Sequence, residues 1–205
     1  MTQRRPIASR DRKWAQRIAG ALAARAVTPN QISQASLLFA ALAGAAFWLS
    51  GGVSPVWLVV AALAVQGRLL CNLFDGMVAV EGGRAEPDGP FWNEAPDRFA
   101  DIVILVGMGL GAGTPALGWA AATMAVLTAY TREAGAAQSL APDFSGPMAK
   151  PHRMALATGA AVVALFVPVI FSVPTIALAL WVIALGAMAT TLRRSMNMIT
   201  NLKSR

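Results

Sequence analysis

One stretch of the chain sets Asn72, Asp75, Asn93, Asp97 and Asp101 among hydrophobic residues, first as NLFDGMVAV and then as NEAPDRFAD. Carboxylates gathered at short range repel one another unless a cation neutralises them. Oxygen-only sets of Asp and Asn suit Mg²⁺, Mn²⁺ or Ca²⁺, hard ions that also bridge phosphates. A second reading stays open on composition alone: Asp75 and Asp97 pair with Arg68, Arg84 or Arg98 and cap helices at a membrane boundary.

The spacing decides which of these groups can meet. On a helix, Arg68, Asn72, Asp75, Gly76, Ala79 and Gly83 fall within about 100° of one another. Asn93, Asp97 and Asp101 recur at i, i+4 and i+8, again on one face. The connection from Glu81 to Pro90 contains three glycines and two prolines, so it reads as a loop that folds the two helices back on each other. The two polar stripes then converge near one membrane surface.

The elements that must hold them are hydrophobic. Of 205 residues, 56% are hydrophobic and 13% charged, with a mean hydropathy of +0.55; a soluble domain carries about 25% charged residues. Six apolar runs stand out: Ile32 to Ser50, Pro55 to Val80, Phe99 to Gly111 (starting near Phe91), Leu117 to Tyr130, Met154 to Phe171, and Val173 to Leu192. The second continues in helical pattern to about Glu81. SGGVSP, GAGTPALG and FSVP separate them as turns. The expectation is an all-α integral membrane protein of six transmembrane helices. Ser9 to Ala26 reads as an amphipathic helix lying in the headgroup layer, with Trp14, Ile18, Leu22 and alanines on one face and five basic residues on the other. Thr28 caps the first span, with Pro29 in its first turn. The chain thus divides into an N-terminal segment 1–27, a membrane domain 28–193 and a basic tail 194–205.

All 17 Lys and Arg residues fall on the side of the termini and of the connections between spans two and three and between spans four and five. This asymmetry predicts cytoplasmic termini. The net charge of +7 therefore reads as contact with the lipid bilayer, not with nucleic acid. The Ala- and Arg-rich composition suggests a bacterial inner membrane. The N-terminus does not read as a cleaved secretory signal. Cys71 excludes an internal disulfide and reads as a packing residue. His152 has no partner pattern and receives no role.

The run N72-x2-D75-G76-x2-A79-V80, eight further residues, then G89-x3-N93-x3-D97 resembles the signature of the CDP-alcohol phosphatidyltransferase family. That signature is D-x2-D-G-x2-A-R, about eight residues, then G-x3-D-x3-D. The resemblance covers the chain from Thr28 to about Leu192. It implies a membrane transferase that moves a phosphatidyl or related phospho-alcohol group from a CDP-linked donor, such as CDP-diacylglycerol, to an alcohol acceptor, releasing CMP in phospholipid biosynthesis. It further implies one or two Mg²⁺ or Mn²⁺ ions held by Asp75 and Asp97, with Asn72 and Asn93 as neutral ligands at two family aspartate positions. Asp97 would be the general base, Gly76, Ala79 and Gly89 would line the CDP moiety, and a homodimer is implied.

Three positions depart from the pattern: Asn72, Asn93, and Val80 in place of arginine. Two carboxylates balance one dication, so a single ion is expected. Asp101 or Glu94 could restore charge, and Arg68 or Arg84 could cover the lost arginine. Arg68, Arg132, Lys150 and Arg153 are candidate contacts to an acceptor or its phosphate. The alternative function is a non-catalytic membrane binding or scaffold relative with the same fold. The orientation is testable: single cysteines introduced at Gly52, Gly113 and Ser172 should label from outside cells with an impermeant maleimide. One at Ala85 should not, and external labelling there overturns the topology.

Overall fold

The computed structural model describes residues 13–81 and 87–204. A short helix α1 (Lys13–Ala24) precedes six long helices: α2 (Pro29–Gly52), α3 (Trp57–Glu81), α4 (Gly89–Gly111), α5 (Pro115–Ala137), α6 (Lys150–Phe166) and α7 (Thr175–Lys203). Three of them, α2, α3 over Trp57–Ala79, and α7, are long and apolar enough to cross a membrane. The protein is an all-helical integral membrane protein.

Local chemistry sets the boundaries. Thr28 caps α2 in a reciprocal box: its hydroxyl accepts from the Gln31 backbone N–H, and the Gln31 side chain accepts from the Thr28 N–H. Pro29 stands in the first turn, where a missing N–H costs nothing. α1 buries Ala15 and Ala19 with Leu73, Phe74, Met77 and Val78 of α3, and Trp14 meets Phe74 edge-on at 6.2 Å. Trp14 and Ile18 remain exposed, and the alanines with half-buried Leu22 form the packed face. Residues 9–12 of the expected helix lie outside the described residues, as do 82–86 of the expected loop.

Two boundaries differ from the sequence expectation. The fifth long helix begins at Lys150 and ends at Phe166, with Pro168 just beyond. Val169–Ile170 (β1) and Val173–Pro174 (β2) then pair antiparallel about Phe171 and Ser172, both at positive φ. That conformation matches the tight primed turns of hairpins. The region 194–205, expected as a basic tail, continues α7 as far as Lys203, because Arg194 and Asn197 find partners inside the protein.

The bundle packs through small side chains. The main cluster of buried residues contains 17 alanines among its leucines, isoleucines and methionines, and α2 lies against both α3 and α4. At the α2–α4 crossing, a Cβ built on Gly107 would stand 2.3 Å from the Gly44 carbonyl oxygen, and one on Gly111 would stand 2.0 Å from the Phe47 carbonyl oxygen. In lipid, where apolar helices gain nothing by leaving the acyl chains, such close backbone approach is what holds helices together. Gly107→Val should force α2 and α4 apart and sharply lower the yield of monodisperse protein in mild detergent. Gly52→Ala, with nothing within 4 Å of the added carbon, should leave both yield and thermal unfolding unchanged. A well-folded Gly107→Val protein would contradict this packing.

Candidate active site

Asp97 sits where α3, α4 and α6 meet. Its Oδ1 accepts from the Arg68 guanidinium at 3.1 Å and from the Asn72 amide at 2.7 Å. Its Oδ2 accepts from the Lys150 ammonium. Arg68 and Asn72 are one turn apart on α3 and therefore share a face. Lys150 stands at the first position of α6, which Pro151 helps to start. Arg68 is wholly buried, which a charge tolerates only when paired.

Asp75 lies one turn along α3 from Asn72 and is buried; its Oδ2 accepts from the hydroxyl of Ser33 on α2 at 2.9 Å. One turn along α4 from Asp97, Asp101 meets Arg153 of α6 at 2.5 Å, with side-chain exposures of 0% and 2%. Arg153 also donates to the Thr128 hydroxyl at 3.2 Å and the Met148 carbonyl at 3.0 Å. The other oxygen of Asp101 is buried without a partner among the described residues.

A rim of charge surrounds these layers. Glu94 accepts from Arg98 and, at 2.6 Å, from Arg132 of α5. Arg132 also bonds Glu133 at 2.8 Å and lies over the Phe144 ring at 5.7 Å. Arg194 of α7 donates to the carbonyls of Thr128 at 2.6 Å and Ser145 at 3.0 Å. Asp143, in the connection between α5 and α6, accepts from Asn197 at 2.9 Å and from the Ser145 N–H at 2.7 Å. Partial burial would raise its carboxyl, but these donors and nearby Arg194 hold it below the usual range. Thr131, Arg132, Asp143, Arg194 and Asn197 line a small cleft of about 20 Å³. Before α4, the amide of Asn30 and the indole of Trp92 each donate to Asp88 at 2.9 Å and pull its carboxyl down. The Asn30 bond ties the start of α4 to the start of α2.

The geometry brings together Asn72, Asp75 and Asp97, as the spacing predicts, with Gly76 and Ala79 half-buried on the same helix. Asn93 is exposed and makes no side-chain hydrogen bond among the described residues. Gly89 has open space where a Cβ would be. The head of Arg153 is buried in the bundle on Asp101. Arg68 and Lys150 are committed to Asp97 in the same way. Ser33, Thr128 and Arg194 join the network without having been singled out in the sequence. Ser33 and Ser36, both buried near the start of α2, are the signal that could have pointed to this helix.

A divalent ion fits this donor set in its chemistry. The oxygens are hard and two carboxylates balance one dication. Among the described residues no three His, Cys, Asp or Glu side chains gather as metal ligands, so amide oxygens must complete the shell. Asp97 also holds Arg68 and Lys150, so an ion at this carboxylate would compete with Lys150 for Oδ2.

No family model matches the chain. It is 33% identical over 109 residues to the bifunctional IPC transferase and DIPP synthase of Rubrobacter xylanophilus, over 52% of this chain and 24% of that protein. The chain thus spans about a quarter of the length of this curated relative. The fold matches that of Mycobacterium tuberculosis phosphatidylinositol phosphate synthase solved with manganese and citrate, at TM-score 0.76 and 19% identity over 91% of this chain and 89% of that one. It matches the same protein with CDP-DAG bound at TM-score 0.76 and 18% identity, over 91% and 94% of the two chains.

The Asp101–Arg153 pair should be stability-critical. Asp101→Asn and Arg153→Met should each lower stability by about 3–5 kcal/mol, because each strands a buried charge. Asp101→Leu combined with Arg153→Met should cost less than the two single changes summed. Thermal unfolding in detergent checks this, and a silent single variant would refute it.

Proposed function

We propose that this chain is a member of the CDP-alcohol phosphatidyltransferase family and a membrane transferase that moves a phosphatidyl or related phospho-alcohol group from a CDP-linked lipid donor to an alcohol, with release of CMP. The observation that carries this is the convergence of Asp75 and Asp97 with Asn72 at one end of a bundle of the fold that, in the mycobacterial synthase, binds CDP-DAG. The manganese in that relative supports use of Mg²⁺ or Mn²⁺ here, with Asp75, Asp97 and the amide oxygens of Asn72 and Asn93 as holders. Such an ion supplies neutralisation of the donor's pyrophosphate and of the departing CMP.

The chain's own residues supply the rest. The open space above Gly89, with Gly76 and Ala79 on the facing helix, admits the cytidine diphosphate against the backbone. Lys150, whose flexible stem carries a compact charge, moves from Asp97 to the donor's phosphates when these arrive. That frees Oδ2 of Asp97 to accept the acceptor hydroxyl's proton as its oxygen forms the new P–O bond. Arg68, held by Asn72's neighbour position on α3, keeps the Asp97 carboxylate oriented through Oδ1.

The membrane reading follows the same course. α2 to α7 form six spans, with the site and both termini on the cytoplasmic face of a bacterial inner membrane. α1 lies at the interface, its exposed Trp14 and Ile18 turned to lipid. A lipid tail and a water-soluble nucleotide can then reach the site together.

Asp75→Asn should leave detergent elution and thermal unfolding intact but reduce Mn²⁺-dependent CMP release from CDP-diacylglycerol by about 1,000-fold, or roughly 4 kcal/mol. Retention of the wild-type rate would remove Asp75 from the metal shell. Absence of CMP release from the wild-type chain with any alcohol would favour a non-catalytic binding role.

A further inference from the structure

α6 is the short helix of the bundle. It has 17 residues, where α2, α3, α4 and α5 have 23 to 25 and α7 has 29. At 1.5 Å per residue α6 reaches about 25 Å, about one helical turn less than the roughly 30 Å of a bilayer's hydrocarbon core. Its first residue, Lys150, is held at the site by Asp97, so the shortfall lies at the other end, after Phe166. The residues that follow, Val167 to Pro174, therefore start inside the apolar layer.

Their chemistry suits that depth. From Met154 to Leu192 the sequence carries no charged residue, and Ser172 has the one polar side chain between Val167 and Pro174. Backbone that is not helical can lie at membrane depth only where its polar groups are satisfied within the protein. Here the Val167 N–H donates to the Val163 carbonyl at 2.8 Å and the Thr175 N–H to the Pro168 carbonyl at 2.9 Å. The Thr175 hydroxyl donates to the Val167 carbonyl at 2.5 Å. β1 and β2 pair with each other, and Pro168 and Pro174 bring no N–H at all.

The tip adds an independent observation. Phe171 and Ser172 stand at φ 50° and 63°, in a turn that favours Asn-Gly and that costs any residue with a Cβ conformational energy. Phenylalanine occupies it nonetheless and is 94% exposed, and Phe166, Val167 and Val169 are exposed as well. A strained segment that holds its apolar side chains outward is built to meet an apolar phase.

We infer that the β1–β2 hairpin is a membrane anchor: it seats Phe166, Val169 and Phe171 among the acyl chains of the leaflet opposite the site and makes up the missing turn of α6. Ser172 stands at the water boundary. The anchor takes acyl chains and not headgroups, because no charged residue lies between Met154 and Leu192. Lys150 at one end and the hairpin at the other then fix the height of α6 in the bilayer. The inference rests on α6 crossing the bilayer and is independent of the transferase reading.

The test places the full chain, in a Cys71→Ala background, in phosphatidylcholine nanodiscs with a nitroxide at Phe171→Cys. Gly52→Cys, at another turn on the same side and with open space around it, is the reference. Power-saturation EPR compares collisions with oxygen, which concentrates in acyl chains, and with a water-soluble nickel chelate. The label at 171 should favour oxygen and the label at 52 the chelate, and added anionic lipid should change neither. A second measurement needs no label. Asp adopts positive φ readily, so Phe171→Asp leaves a tip in water as stable as before or more so. At a tip in lipid it should lower the thermal unfolding midpoint by roughly 2–4 °C. A chelate-accessible label at 171, or an unchanged or raised midpoint, overturns the inference. A label closed to both collision partners means that protein covers the hairpin, and overturns it equally. Labelling of Ser172→Cys only from inside cells reverses the orientation and leaves an oxygen-accessible label at 171 as support for the anchor.

Discussion

The carboxylate of Asp97 is the joint on which the site depends. It accepts from Arg68 and Asn72 of α3 and from Lys150 of α6, so α4 is tied at one point both to the helix before it and to one that begins about 50 residues later. Burying such charges singly would be prohibitive, and burying them together leaves each with a partner. The same requirement recurs one turn deeper, where Asp101 and Arg153 meet with the hydroxyl of Thr128 and the Met148 carbonyl around them. Two stacked ion pairs at a helical repeat fix both the rotation of α4 about its axis and its height against α6. A slip of one turn would unmake both pairs at once.

Charge alone cannot bring the backbones near enough, and the small residues do that. Gly44, Phe47, Gly107 and Gly111 let α2 and α4 touch through their main chains. α2 also packs against α3, and this places Ser33 within 2.9 Å of Asp75. The acid therefore sits against a helix that carries no acid or base of its own. The close crossing also leaves an apolar groove faced by Trp48, Val103 and Trp119 on the outer surface, consistent with a lipid surround. Packing in the middle of the bundle and chemistry at its end are thus consequences of one arrangement.

The charge set gives the site its character. Where a chain with four acids in the signature would offer surplus negative charge to metal ions, this one offers two carboxylates and keeps Lys150 and Arg68 on one of them. The amide nitrogen of Asn72 donates to Asp97 at 2.7 Å, an orienting bond that an aspartate in its place could not make as a carboxylate. At the rim, Glu94 holds Arg98 and Arg132, and Glu133 holds Arg132 as well.

Much of this was readable from the residues in order. The period of the acids and amides on two helices and the capping box at Thr28 are local features, set by a few neighbouring residues, and the structure reproduces them. The number and order of long helices follow from apolar runs in the same way. What the order of residues could not settle was which cation meets which acid. Lys150 and Arg153 lie over 50 residues from their partners, and as sequence they look like flanking charge or phosphate anchors. Only the packing of α6 against α3 turns one into the counterion of Asp97 and seals the other on Asp101. The continuation of α7 through Arg194 was hidden for the same reason: a basic run reads as a solvated tail until Thr128, Asp143 and Ser145 are seen waiting for it. Local pattern fixes helices because hydrogen bonds of helices are local; the pairing of buried charges is decided by which helices touch, and that is a property of the assembled bundle.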